Sequence, residues 1–156
     1  MLHWAQSSTT RFSIDTNILV YAADTGAGAK HARAVALLHD AAAADCVLTV
    51  QALAEFFHAV TRKAGMPVKA AVTLVEDWRI QFPVAVAEGP QLSAALVQVT
   101  RHRLAFWDAL LLETARAAGC QVLLSEDFQH GRSYGGLVVL DPFHAAAAER
   151  IQRLFG

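Results

Sequence analysis

The segment FSIDTNILVY, residues 12–21, combines a short apolar strand, an aspartate and the start of a helix. Residues 12–14 form the strand, and Asp15 follows it directly. From residue 18 onward the apolar side chains have the spacing of one or two helical turns. A brief apolar strand that leads through a carboxylate into a helix is typical of a βα unit in a parallel sheet.

The same alternation continues along the chain. Further apolar strands are predicted at 47–50, 84–86, 121–125 and 137–140. Helices are predicted over 30–44, 51–63, 68–80, 90–103 and 106–118, with a last helix beginning at Pro142. This order predicts an α/β fold, a three-layer α/β/α sandwich around a central parallel sheet. Residues 11–156 are expected to form a single domain, and residues 1–10 a loose polar tail.

Composition limits the classes of function. The chain has 156 residues, of which 54% are hydrophobic, and its net charge is −1. It therefore has no overall basic field, and any nucleic-acid binding must come from a local patch. Charged residues are only 17%, below the roughly 25% usual for soluble domains, so apolar surface is expected to remain for a partner or an oligomer. In the helix over 30–44, a stripe of Val35, Leu38 and Ala42 is a candidate for such a surface.

The two cysteines, Cys46 and Cys120, cannot build a disulfide framework and lack the paired spacing of a zinc site. A reducing, cytoplasmic setting is expected. The sequence contains neither a signal-peptide pattern nor an apolar run of about 18 residues, so no membrane contact is expected.

Four acidic residues fall where the predicted strands end and helices begin. Asp15 and Asp127 follow two different strands, Glu55 lies in the first turns of the helix over 51–63, and Asp108 interrupts an apolar helix start. Ligands of open parallel sheets bind at the carboxyl ends of the strands, where the strand order reverses. Each acid also has a structural interpretation: a turn or helix cap for the aspartates, and a solvated position for Glu55.

The strings around these acids resemble the PIN-domain ribonucleases. The resemblance rests on IDTNILVYA at 14–22, on QALAEFF at 51–57, on FWDALL at 106–111 and on SEDFQHG at 125–131. All the acidic positions that are typical of the family are present, in order, over about residues 12–140. The VapC-like toxins of bacterial toxin–antitoxin pairs are the most similar members.

The resemblance implies a metal-dependent endoribonuclease. Clustered carboxylates suit a hard divalent cation, which both activates water and offsets charge on a phosphate. The implied cofactor is Mg²⁺ or Mn²⁺. Asp15, Asp108 and Asp127 are the expected metal ligands, and Glu55 is expected to bind through water or to position the nucleophile. Thr16, Asn17 and Ser125 are expected to support them, and at least one carboxylate should have a raised pKa because like charges repel.

RNA contacts are expected from basic side chains near the acids. Candidates are His130 and Arg132, which follow Asp127 closely, and Arg101 and Arg103 before the helix that carries Asp108. The resemblance also implies a homodimer and a cognate antitoxin that covers apolar surface and blocks the acidic crevice.

Two other classes remain open. One is a non-catalytic PIN-like domain that regulates by binding. The other is a small serine hydrolase, because Gly131-Arg-Ser133-Tyr-Gly135 fits the G-x-S-x-G pattern, with Asp141 and His144 following. That motif needs a strand before the serine and a helix after it, whereas a loop precedes and a strand follows here.

Overall fold

The chain alternates short strands and helices around one sheet. A computed structural model describes residues 9–156, so residues 1–8 of the predicted tail lie outside the described residues. The strands are β1 (Phe12–Ile14), β2 (Leu48–Thr49), β3 (Val84–Ala85), β4 (Val122–Leu124), β5 (Ser133–Tyr134) and β6 (Leu137–Leu140). The helices are α1 (Thr16–Ala23), α2 (Ala29–Ala41), α3 (Val50–Arg62), α4 (Val68–Gln81), α5 (Gly89–His102), α6 (Phe106–Ala117) and α7 (Ala148–Gln152), with short 3₁₀ turns at Thr25–Ala27, Ala145–Ala147 and Arg153–Phe155.

The sheet reverses its strand order next to β1. On one side β1 pairs in parallel with β4, and β4 pairs in parallel with β6. On the other side a single parallel bridge between Phe12 and Cys46 leads to β2, which pairs in parallel with β3. The chain thus builds outward from β1 in one direction and returns to the other side with β4. Such folds bind ligands in the crevice outside the carboxyl ends of the two strands at this switch point, here β1 and β4.

Strands β1 and β4 form the centre of the core. All three residues of each are buried, as expected for parallel strands covered by helices on both faces. Helix α1 packs against α2 and α3, α3 against α4, and α5 against α6. This arrangement confirms the predicted α/β sandwich with a central parallel sheet.

An antiparallel edge strand, β5, was not predicted from the sequence. It pairs with β6 through the two-residue turn Gly135-Gly136, and both glycines have positive φ, +57° and +92°. Such turns favour glycine because a Cβ disfavours the left-handed region. Gly135 also lies against Arg116, since a Cβ there would stand 2.9 Å from the guanidinium.

Two predicted details are wrong. The buried side chains of α2 are Ala34, Leu37, Leu38 and Ala41, whereas Val35 is 45% exposed; the apolar stripe is displaced by one residue and its leucines face the core. The last helix does not begin at Pro142 but after a turn in which the Asp141 carboxylate accepts the Phe143 N–H at 2.9 Å. Helical structure resumes at Ala145.

Both cysteines are buried free thiols, and burial raises the pKa of Cys120 to about 11. Within residues 9–156, none of the helices has the length and apolar character needed to cross a membrane.

Candidate active site

Asp15 and Ser125 meet at the carboxyl edge of the sheet because their strands are paired neighbours. Ile14 is in register with Leu124, so the residue that follows each strand stands beside the other. The Asp15 N–H donates to the Leu124 carbonyl at 2.9 Å. The Ser125 hydroxyl donates to Asp15 Oδ2 at 2.7 Å. Asp15 also caps α1, since its Oδ1 accepts the Thr16 N–H at 2.7 Å, so the helix-cap interpretation is confirmed alongside the site.

Ser125 joins the ends of this edge into one network. Its Oγ accepts the Asp127 N–H at 3.1 Å and the Asn17 side-chain amide at 3.3 Å. These contacts place Asn17 and Asp127 around the Asp15 carboxylate. The Asn17 Oδ1 is buried and has no hydrogen-bond partner in the described part of the chain. A buried, unpaired amide oxygen in the first turn of α1 is an acceptor available to a bound group.

Thr16 carries the network across to α3. Its hydroxyl lies 3.1 Å from Glu55 Oε2 and 3.1 Å from the Ala52 carbonyl. The Gln51 side-chain amide donates to Glu55 Oε1 at 3.1 Å and to the Trp107 carbonyl at 2.8 Å. Glu55 is therefore bonded directly to α1 and linked through Gln51 to the start of α6, and it is not the freely solvated glutamate of the structural interpretation. Sequence reasoning missed Gln51, which lies one helical turn before Glu55 and was open to discovery from that spacing.

The Asp15 carboxyl has a pKa raised to about 7. Burial is the largest cause, and the charges of Asp127 and Asp108 add to it, while the hydrogen bonds from Ser125 and Thr16 oppose it. The predicted raised pKa is therefore present, but desolvation contributes more than the repulsion on which the prediction rested.

Asp108 lies in the first turn of α6. Its pKa is raised by burial and then by the charges of Asp127 and Glu55. The four acidic side chains thus interact electrostatically at one edge of the sheet. Over residues 9–156, however, no three His, Cys, Asp or Glu side chains are grouped so that they could hold a metal ion as they stand.

The donor set nevertheless fits a hard divalent cation. Every group at this edge offers oxygen: the carboxylates of Asp15, Asp108 and Asp127, and the unpaired amide oxygen of Asn17. Oxygen-only ligands are those that Mg²⁺ and Mn²⁺ prefer. Part of the rise in the pKa of Asp15 and of Asp108 comes from the neighbouring carboxylates, and a cation would relieve that repulsion.

An open apolar groove of about 680 Å³ adjoins Glu55. Its walls come from α3, α6 and the segment after β3, and they include Val50, Val86 and Trp107. The Trp107 side chain is 60% exposed. The groove therefore presents unpaired apolar surface directly beside the acidic edge.

The predicted basic contacts lie on two sides of the acids. Arg101 and Arg103 are at the C-terminal end of α5, just before the start of α6, and both are exposed. His130 and Arg132 lie in the loop between β4 and β5, where the Arg132 guanidinium stacks over the Tyr134 ring at 5.0 Å. No hydrogen bond or ion pair among residues 9–156 joins any of these side chains to the acidic residues.

Glu126, beside Asp127, makes contacts within the fold. It bonds to the Tyr21 hydroxyl and pairs with Lys30 at 2.8 Å, which ties the loop after β4 to α1 and α2.

The serine-hydrolase arrangement is not formed. Ser133 opens an edge strand, and the Nδ1 of His144 accepts the Ala146 N–H at 3.1 Å.

Comparison with known proteins identifies the class to which this fold and site belong. The model of the PIN domain matches residues 13–136, and the chain belongs to the PIN-domain family. No curated protein sequence matches it.

Similar solved structures include VapC20 of Mycobacterium tuberculosis, a toxin that cleaves the sarcin–ricin loop. It is 21% identical with a TM-score of 0.62, and the alignment covers 74% of this chain and 89% of that one. A toxin–antitoxin complex from Klebsiella pneumoniae is 16% identical with a TM-score of 0.62, covering 84% and 97%. DNA-bound VapBC from Salmonella typhimurium is 14% identical with a TM-score of 0.62, covering 85% and 98%. At these identities the likeness shows a shared fold.

Proposed function

We propose that this chain is a metal-dependent endoribonuclease and the toxin of a toxin–antitoxin pair. The observation that carries the proposal is the network of Asp15, Ser125, Thr16 and Glu55 at the switch point of a PIN-domain sheet. Membership of the PIN family and the shared fold with VapC toxins support it. Cleavage of the sarcin–ricin loop by the Mycobacterium tuberculosis relative supports RNA as the substrate class.

In this proposal Asp15, Asp108 and Asp127 would hold Mg²⁺ or Mn²⁺. When bound, the cation supplies positive charge against the scissile phosphate and orients it. Thr16 and Ser125 fix the rotamer of Asp15 through their hydrogen bonds, and fixed ligands lower the cost of assembling a site. Ser125 also holds the backbone of Asp127.

Glu55 would position the attacking water and accept its proton. Both of its oxygens already receive hydrogen bonds, from Gln51 and Thr16, and these fix the direction of the remaining lone pairs. The water oxygen forms a new bond to phosphorus while the bond from phosphorus to the 3′ oxygen breaks, and the departing 3′ oxygen takes up a proton from solvent water. The products are a 5′-phosphate and a 3′-hydroxyl.

Purified chain incubated with RNA and Mg²⁺ tests the nuclease. We expect the parent to cleave RNA and Asp15→Asn to be inactive, because the variant removes the most buried charge of the site. Asp77→Asn on α4, an exposed acid, is the matched control and should cleave like the parent. Equal cleavage by parent and Asp15→Asn would contradict the proposal.

We also propose a cognate antitoxin and a homodimer. The groove beside Glu55, with Val50, Val86 and Trp107 in its walls, could receive an apolar antitoxin segment and so block the acids. It replaces the α2 stripe as the candidate surface, because the leucines of α2 are buried. Exposed apolar side chains on α5, among them Leu96 and Val97, are available to a second copy. The similar structures that were solved as toxin–antitoxin complexes support the proposal of an antitoxin partner.

Co-purification tests the partners. Expressed with its neighbouring small gene product, the chain should elute as a complex, and Trp107→Ala should weaken that complex. A chain that is monomeric, binds no such product and is harmless to growth would contradict the toxin assignment.

A non-catalytic PIN-like regulator is the second candidate. The observation that favours it is the absence, among the described residues, of a ready-made metal-binding group. A metal titration separates the two functions, because the regulator does not require RNA cleavage that depends on a divalent ion.

A further inference from the structure

Two histidines stack on each other from the loops that follow β4 and β6. His130 follows β4 in the loop that carries Asp127, and His144 follows β6. Their ring centroids are 4.3 Å apart and the planes differ by 14°. His144 is exposed and His130 half-buried, so the pair forms part of the surface. The proposed cleavage chemistry does not use this pair of rings, and core packing does not account for their stacking.

The backbone fixes which nitrogen of each ring carries the proton. The Asp141 N–H donates to Nδ1 of His130 at 3.0 Å, and the Ala146 N–H donates to Nδ1 of His144 at 3.1 Å. Because an acceptor nitrogen of a neutral imidazole has no hydrogen, the proton of both rings is on Nε2. The stacked pair therefore offers two Nε2–H donors from adjacent rings.

Arg150 adds a full positive charge to this pair. Its Nη1 lies 4.0 Å from the position that a Cβ on Gly131 would take, next to His130. Burial lowers the pKa of His130, and His144 and the charge of Arg150 lower it further, whereas the charge of Asp141 opposes the shift. Among residues 9–156, Arg150 has no carboxylate within ion-pair distance. The cluster thus joins two N–H donors to a guanidinium that has no ion-pair partner among these residues.

We propose that His130, His144 and Arg150 form a binding subsite for a phosphate of the RNA backbone. The proposal rests on the proposed nuclease function. Neutral N–H donors backed by a guanidinium match the diffuse charge of a phosphodiester, and a chain of net charge −1 needs such a local site to hold RNA. His130 lies three residues after Asp127 in the same loop, so an RNA strand bound here would contact the loop that carries Asp127.

Asparagine and glutamine substitutions separate binding from folding. Asparagine reproduces the acceptor at the Nδ1 position and keeps the backbone hydrogen bonds from Asp141 and Ala146, but it removes the Nε2 donor. Glutamine places a donor near the Nε2 position and loses the Nδ1 acceptor. A binding role is therefore damaged by His130→Asn with His144→Asn, and a purely structural role by the glutamine pair.

The measurement is anisotropy of a short fluorescein-labelled single-stranded RNA on the full chain, in EDTA and without cleavage. We expect the double asparagine variant to bind about tenfold more weakly at an unchanged melting temperature. The glutamine pair should keep more affinity and lose stability. Arg150→Gln should reduce the slope of log affinity against log salt by about 0.7, while Lys69→Gln on α4 leaves the affinity unchanged.

Three results would overturn the subsite. The first is an unchanged RNA affinity in the asparagine pair. The second is orthophosphate binding that depends on these residues while RNA binding does not. The third is that the variants bind RNA like the parent and lose only the binding of an acidic protein. Because the measurement needs neither metal nor chemistry, it separates the two proposals. RNA cleavage by the parent without His-dependent binding refutes only the subsite, and His-dependent binding without cleavage refutes only the nuclease.

Discussion

Ser125 donates its hydroxyl hydrogen to Asp15 Oδ2 at 2.7 Å, and this bond joins the ends of the two central strands. Ser125 Oγ also accepts the Asp127 N–H, so a single side chain organises two of the acids. The register of β1 and β4 places these residues side by side, which makes the site a direct consequence of strand pairing at the switch point.

Ser125→Ala tests this organising role. The variant loses the donor to Asp15 and the acceptor for Asp127, so we expect a loss of about 1–3 kcal/mol in the free energy of unfolding. Mn²⁺ affinity should also fall, by roughly 10-fold or more. Titration calorimetry and thermal melting measure the two effects. Ser133→Ala, at an exposed edge-strand serine, should change neither, and a loss of activity there would instead revive the serine-hydrolase class.

Stability should depend on pH through Asp15. Its folded-state pKa, about 7, is above the ordinary value of 3.8, so the folded protein binds the proton more tightly than the unfolded chain. The resulting stabilisation is present below pH 3.8 and is lost as the pH rises to about 7.

Denaturant melts in EDTA at several pH values measure this loss. Relative to Asp15→Asn, which has no such proton, the parent should lose at most ~4 kcal/mol across that interval. Curves for parent and variant that stay parallel with pH would show that Asp15 is not perturbed.

Asp108→Asn distinguishes a metal ligand from a helix-start residue. The variant removes charge with little change in volume, so Mg²⁺ stabilisation should fall and RNA cleavage should drop by roughly 100-fold or more. Without metal, the melting temperature should hold or rise because repulsion from Asp127 and Glu55 is relieved.

Glu126→Gln is the neighbouring control. It loses the pairing with Lys30, and since such surface pairs contribute about 0–1 kcal/mol, its melting temperature should fall slightly while cleavage persists. An Asp108→Asn protein with full activity and full metal stabilisation would remove Asp108 from the site.

The hairpin turn offers a prediction about the fold alone. Gly135→Ala introduces a Cβ 2.9 Å from Arg116 at a positive φ, so we expect a loss of about 1–3 kcal/mol. Gly136→Ala has a positive φ but open space and should cost less. Adding Arg116→Ala to Gly135→Ala should remove the difference in melting temperature between Gly135→Ala and Gly136→Ala. If the difference remains, the close approach of Gly135 to Arg116 is absent.

The fold and the acids were predictable because they depend on local patterns. The apolar strands that precede Asp15 and Asp127 indicate the carboxyl edge of a parallel sheet without any knowledge of contacts. The two-residue strand at Ser133 is too short to show alternation, and one exposed valine, Val35, was enough to shift the stripe of α2. The i, i+4 spacing could have indicated the bond from Gln51 to Glu55, but the contact of Gln51 with Trp107 and the stacking of His130 on His144 join residues 56 and 14 positions apart in sequence, which periodicity cannot reveal.

The measurement that tests the account most directly is RNA cleavage through a cycle of metal removal and return. The parent should cut RNA with Mg²⁺ or Mn²⁺, stop in EDTA and recover when Mg²⁺ is restored in excess, leaving 5′-phosphate ends. Asp15→Asn should stay inactive throughout, and Asp77→Asn should follow the parent. Cleavage that continues undiminished in EDTA would contradict the claim that these carboxylates act by holding a divalent cation.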